Sequence, residues 1–234
     1  MSGTQRPSGS ETSADGDPRI GFLAFVAHEV RNPLSTALWS AELLTRLGPE
    51  ERGGARGEKL TAMCLRSLNR VRQLVEDHFL CERLDAQGIP LHVEPVSLQD
   101  SLAEVVGRRP DGGPVEVDVE PTLKVAADRV LLDRALDALV AVAGGDGAPV
   151  RITARTDGDA AVLAVGGNVP GPEALADPRK GTQGDPKGRA LALPMARRVA
   201  RALGGQLAIE EGALALRLPR PSPEPDQPDT SAHP

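Results

Sequence analysis

From Ile20 to Leu47 the apolar residues recur with a helical period: Leu23, Ala27, Val30, Leu34, Ala37, Ala41 and Leu44 alternate spacings of four and three, the seam of a bundle helix. A breaker-rich stretch from Gly48 to Gly57 interrupts the pattern. A second helical run extends from about Glu58 to Asp85, with Leu60, Cys64, Leu68, Val71, Val75 and Phe79 on one stripe. Two long helices joined by a short loop predict an antiparallel hairpin. A lone hairpin leaves one apolar face uncovered, and pairing two copies into a four-helix bundle covers it, so a homodimer is expected.

After Gln87-Gly88 the period changes. Short β-like runs fall at Leu91–Val96, Val115–Glu120, Val150–Thr156, Ala161–Val165, Gln206–Glu210 and Leu214–Leu218. Helical runs lie between them at Leu98–Val106, Asp128–Ala143 and Ala190–Leu203. Strands and helices mix without regular βαβ alternation, which predicts an α+β sandwich of one sheet covered by helices. The expected boundary lies near residues 86–90, giving a helical hairpin over 19–87 and a sandwich over 88–219. Residues 1–18 are rich in Ser, Gly, Thr, Asp and Pro, and 220–234 are Pro-rich and polar; both segments are expected to be disordered.

Composition narrows the picture further. Forty per cent of the residues are apolar but only 2% aromatic, with one Trp, three Phe and no Tyr, so the core must be built from Leu, Val and Ala. A net charge of −6 with interspersed signs gives no nucleic-acid footprint. Cys64 and Cys81 sit within a helical pattern, away from any metal-type spacing, and read as reduced packing residues of an intracellular protein. The run Ile20 to Ala27 is too short to span a bilayer and has no signal-peptide flanks; no membrane association and a cytoplasmic location are expected. With too few residues before it for a sensor domain, any signal is expected to arrive through another protein.

The chemistry concentrates at His28-Glu29-Val30-Arg31-Asn32-Pro33-Leu34. On a helix, His28, Asn32, Ser35 and Trp39 share a face. His28 follows the seam residue Ala27 and should project into solvent, where an imidazole is a competent nucleophile near neutral pH. Glu29 can bend towards one ring nitrogen, set the tautomer and leave the other lone pair to attack phosphorus. Asn32 can position a water or a phosphoryl oxygen, and Arg31 adds positive charge for an incoming phosphate. Pro33 cannot donate to the carbonyl of Glu29, so a kink or loosening is expected there. A His-Glu-x-x-His zinc site is set aside because the fourth position is Asn32, and no metal ligand set is assigned. His78, His92 and His233 lack a supporting constellation.

The string His28 to Leu34 resembles the H-box of two-component sensor histidine kinases, and the hairpin around it, residues 20–86, resembles their dimerisation and phosphotransfer domain. The resemblance implies that His28 accepts phosphate, that Glu29 is its acid/base partner, and that Asn32 holds the position tied to phosphatase activity. Residues 89–219 resemble the ATP-binding domain of that family in outline. Along Asp128–Ala143 the apolar spacing of its N-box persists, but Val142 stands at the position of the magnesium-chelating asparagine and Ala138 at that of the other asparagine. The G1 box aligns with Gly167-Asn168-Val169-Pro170-Gly171, which puts Gly167 in place of the adenine-reading aspartate and Val169 in place of a glycine. The G2 box aligns with Gly188-Arg189-Ala190-Leu191-Ala192-Leu193, where Ala190 and Ala192 replace glycines. Gly204-Gly205 and the following strands match the family's last helix and hairpin.

A valine offers Mg²⁺ no oxygen, a glycine at 167 cannot accept from the adenine amino group, and alanines crowd a loop that backbone must bring close to phosphate. The chain is therefore expected to bind neither ATP nor any other cofactor of its own. Lys180, Lys187, Arg189, Arg197 and Arg198 could bind an anion but are read as a solvated face. This combination resembles dimeric histidine phosphotransferases. That implies a relay in which a phosphorylated response-regulator receiver, bringing its own Mg²⁺, docks across the bundle, with Ser35 and Trp39 as docking candidates. An upstream hybrid kinase is a further expected partner. Two alternatives stay open: an ATP-dependent kinase with a divergent pocket, and a non-catalytic pseudokinase that binds a receiver or a kinase.

Overall fold

The computed structural model describes residues 18–109, 113–176 and 191–222. Helix α1 (Pro18–Arg46) and helix α3 (Ala55–Asp85) form the hairpin. The connecting stretch is not wholly irregular: α2 (Pro49–Arg52) makes one helical turn with Pro49 in its first turn, and α3 starts at Ala55, earlier than the sequence pattern indicates. Arg52 closes the corner by donating to the carbonyl of Leu47 at 3.0 Å.

The heptad assignment needs correcting. On α1 the positions buried against the rest of the chain are Val26, Pro33, Ala37 and Ser40, followed by Leu47 just past its end, with Val30 and Leu44 half-buried, whereas Leu23, Ala27, Leu34 and Ala41 face outward. On α3, Leu60, Leu74, Asp77 and Cys81 are buried, while Leu68, Val75 and Phe79 are exposed. Both helices carry two apolar stripes, one closing the hairpin and one open. A single four-three count drew residues from each. The buried Ser40 hydroxyl is satisfied within the helix, donating to the carbonyl of Thr36 at 2.7 Å.

The second unit has the order β1 (Glu94–Ser97), α4 (Leu98–Gly107), β2 (Val115–Asp118), β3 (Lys124–Ala127), α5 (Arg129–Ala143), β4 (Val150–Asp157), β5 (Ala160–Gly166), α6 (Glu173–Ala176), α7 (Ala192–Ala202), β6 (Gln206–Glu210) and β7 (Ala213–Pro219). The strands form two sheets, not the single one expected. A five-stranded sheet runs β2-β4-β5-β7-β6, parallel only between β2 and β4, and a separate antiparallel ribbon pairs β1 with β3. Strand β1 begins at Glu94, not Leu91, and β3 has no counterpart in the sequence pattern.

Helices α4, α5 and α7 share one apolar core with the sheet, centred on Leu102, Leu136, Leu139, Ile152, Val199 and Leu216. The helix starts are written in the chain. Ser97 caps α4 by accepting from the Asp100 N–H at 3.3 Å, and Asp128 caps α5 by accepting from Leu131 at 3.2 Å. The other Asp128 oxygen accepts from the backbone N–H of His92 at 3.1 Å and ties the incoming linker to the domain.

The two units meet along α3. Cys81 is fully buried within the core of the α/β unit, and burial pushes its thiol up to about 12. Near the other end, Leu191, just before α7, joins Val26 of α1 and Leu74 of α3 in a small buried cluster, with Phe25 and Val30 packed beside it. Arg134 of α5 donates to Asp77 of α3 at 2.8 Å and lies 3.4 Å from Glu76. Arg198 of α7 grips both oxygens of Asp85 at 2.9 and 2.8 Å. Asp77 is only 8% exposed; burial raises its titration above the ordinary 3.8, and the Arg134 charge works against that rise.

Candidate functional site

The polar string on α1 sits two residues beyond Val26, so the α/β unit ends next to it. His28 is 64% exposed and its Nδ1 lies 3.6 Å from Oε1 of Glu29, whose side chain is 16% exposed. Glu29 thus bends towards the ring although sequence neighbours diverge on a helix. The distance is longer than a hydrogen bond. Arg31, Asn32, Ser35 and Trp39 are all exposed, and Trp39 is 54% exposed, so the face drawn from helical spacing is an open one. Pro33 is buried, and the helical span of α1 runs through it.

One residue near the string was not legible in the sequence. Arg70 of α3, 17% exposed, places Nη2 3.9 Å from Oε2 of Glu29. It comes from the other helix, 41 residues along the chain, where no local spacing rule connects the two. The Asp77–Arg134 pair was missed for the same reason.

The positions that align with a nucleotide site look different. Ala138 and Val142 on α5 belong to the buried apolar core, in one contiguous cluster with Ala174, Ala192 and Leu193. Gly167, directly after β5, has φ of +151°, and a Cβ built there would stand 2.5 Å from the carbonyl oxygen of Ala143. The next residue fixes this close approach: the Asn168 N–H donates to that same carbonyl at 2.7 Å. An aspartate at 167 would meet both a backbone clash and an unfavourable φ. Gly171 is exposed ahead of α6, and Ala192 opens α7. Gly188 and Ala190 lie outside the described residues, as do Lys180, Lys187 and Arg189. Arg197 and Arg198 are not a loose solvated face. Arg197 donates to the carbonyl of Leu175 at 2.7 Å, and Arg198 holds Asp85.

Residues 19–87 match the His Kinase A (phospho-acceptor) domain, which spans both long helices and His28. That likeness covers the helical hairpin and stops at the α/β unit. The cell-division control histidine kinase PdhS of Brucella anthropi is 33% identical over 100 residues, covering 41% of this chain and 9% of that protein. Its counterpart in Brucella ovis is 29% identical over the same length. The chain thus spans under a tenth of the length of the curated relatives it matches.

Among solved structures, the Acinetobacter baumannii histidine kinase AdeS superposes with a TM-score of 0.64 at 20% identity, covering 83% of this chain and 98% of that one. Full-length ShkA in complex with AMPPNP gives 0.53 at 24% identity over 85% of this chain and 44% of its own. These likenesses establish the α+β kinase fold over both units. Among the described residues, no helix is long and apolar enough to cross a membrane.

Proposed function

We propose that this chain is a phosphorelay histidine phosphotransferase that passes phosphate between response-regulator receiver domains through a phosphohistidine at His28. The observation that carries the reading is the closure at Gly167, where the backbone leaves no space for the side chain that would read adenine while the His28 ring stays open to solvent. The apolar stripes left open on α1 (Leu23, Leu34, Leu38) and α3 (Leu65, Leu68, Val75, Phe79) support a homodimer in which a second hairpin covers them.

In the proposed step a receiver docks across the bundle and presents an aspartyl phosphate in line with Nε2 of His28. The Nε2 lone pair forms the N–P bond as the acyl P–O bond breaks, and the aspartate carboxylate leaves. Charge on the phosphoryl group is neutralised by the Mg²⁺ that the receiver carries. Glu29 orients the ring from the Nδ1 side and stabilises positive charge as it develops there. Arg31 offsets the phosphate charge, and Trp39 with Ser35 forms the candidate docking surface. The chain's own contribution is positioning and electrostatics, which is where catalysis of phosphoryl transfer resides. Run in reverse, the same geometry delivers the phosphoryl group to a second receiver.

A second reading, an ATP-dependent autokinase, draws support from the kinase fold extending over the whole α/β unit. One assay separates the readings. The purified chain is incubated with labelled Mg-ATP and, separately, with a panel of labelled phospho-receivers. Label acquired only from receivers and lost in His28→Ala supports the relay. Label acquired from ATP alone establishes the kinase. Binding of receivers with no label in either arm identifies a pseudokinase scaffold.

A further inference from the structure

The geometry points to Arg70 as a positioning residue of the phospho-acceptor site, acting on His28 through Glu29. Three charged or titratable side chains from two helices lie in a row: the Arg70 guanidinium, the Glu29 carboxylate and the His28 imidazole. Oε2 of Glu29 is 3.9 Å from Arg70 Nη2, and Oε1 is 3.6 Å from His28 Nδ1. The two carboxylate oxygens are therefore divided between two partners, and the one facing the ring is fixed by what holds the other. This inference rests on His28 being the phospho-acceptor.

The burial gradient along the row explains the arrangement. Arg70 and Glu29 are 17% and 16% exposed, His28 64%. A carboxylate withdrawn from water needs a counter-charge, and a permanently cationic guanidinium meets that need without competing for the imidazole. Anchored in the groove between the helices, Glu29 can accept from Nδ1–H. That selects the tautomer whose Nε2 lone pair points out to solvent, where a phosphoryl group must arrive. Both distances exceed hydrogen-bonding range, and in the absence of a docked phosphate such contacts are commonly long and shorten in the reactive complex. Without Arg70 the Glu29 side chain is free to swing out to water. The ring then loses its Nδ1 acceptor and the share of neutral imidazole with an exposed nucleophilic Nε2 falls.

The test uses the full chain with isotopically labelled histidine, the His28 signals assigned by comparison with His28→Ala. Nitrogen chemical shifts of the neutral ring report the Nδ1–H and Nε2–H populations directly. Potassium phosphoramidate serves as a small-molecule phosphodonor. It forms the N–P bond at the imidazole while its own P–N bond breaks, and ammonia leaves with the proton balance made up from solvent.

In the wild-type chain the Nδ1–H form should dominate. In Arg70→Gln it should lose that dominance, and the rate of phosphohistidine formation should fall about three- to tenfold, a fraction of a full acid–base contribution. Arg70→Lys, which retains the charge, should recover most of both. Glu29→Gln should match the Arg70→Gln phenotype, and the double variant should be no worse than Glu29→Gln alone. Wild-type tautomer populations in Arg70→Gln overturn the inference. So does an Arg70→Gln rate loss that persists in full on the Glu29→Gln background. Should phosphoramidate leave wild-type His28 unmodified, the phospho-acceptor reading fails, whereas the tautomer measurement still decides whether Arg70 sets the ring.

Discussion

The two halves of this molecule preserve opposite things. Around His28 the polar surface chemistry is present and exposed: imidazole, carboxylate, amide and guanidinium face solvent or the inter-helix groove. In the α/β unit the apolar interior persists, and the positions aligned with nucleotide ligands have joined it: Ala138 and Val142 are core residues and Gly167 lies against the Ala143 carbonyl. A fold needs only volume and pattern at its buried positions. A site needs particular atoms at particular places. The comparison teaches that the α/β unit is built to pack on the hairpin as well as around its own core. It packs on α3 through Cys81, Leu191 and the carboxylate contacts of Arg134 and Arg198, and its end lies beside His28.

The sharpest way to break this comparison is His28→Ala, expected to abolish phosphoryl uptake from receivers completely while leaving the thermal unfolding transition in place, because the side chain is largely solvated. Next comes the joint between the units. Arg134→Ala leaves Asp77 withdrawn from water with its main counter-charge gone, and a stability loss of about 3 kcal/mol is expected in chemical denaturation. Asp77→Asn removes the buried charge as well and should cost about 1 kcal/mol or less. The pH dependence gives the same pair a sign. Since burial raises the Asp77 titration above 3.8, the folded chain holds this proton more tightly than the unfolded one. Its stabilising contribution is greatest below 3.8 and is lost as pH rises through the folded value, so Asp77→Asn should flatten that segment of the stability curve.

A smaller effect tests the other half. Gly167→Asp is expected to cost about 2 kcal/mol through strain against the Ala143 carbonyl and to yield no gain in Mg-ATP binding. The smallest expected change is at Cys81. With its thiol pushed up to about 12 and no exposed surface, it should resist alkylation at neutral pH until the chain is unfolded, while the half-buried Cys64 reacts first in a timed labelling experiment.

Much of this architecture was legible because periodicity carries far on long elements. The two hairpin helices, the helices at Leu98, Asp128 and Ala192, and the hairpin β6–β7 all announce themselves through spacing. What failed did so for physical reasons. Strand β3, Lys-Val-Ala-Ala, is four residues long and poor in β-branched side chains, so nothing local marks it; its partner β1 lies across the whole of α4. The heptad on α1 samples two apolar stripes, one closed against the hairpin and one open, because together they form a broad apolar arc that a single seam crosses. The exposed face at His28, Asn32, Ser35 and Trp39 followed from helix geometry alone. Arg70 could not, because its tie to Glu29 exists only once α3 folds back along α1.

The central claim, a relay histidine carried by a domain that takes up no nucleotide, is tested most directly by calorimetric titration of the full chain with Mg-ATP. The account predicts no saturable heat up to millimolar nucleotide. A one-site isotherm in the micromolar range would contradict it.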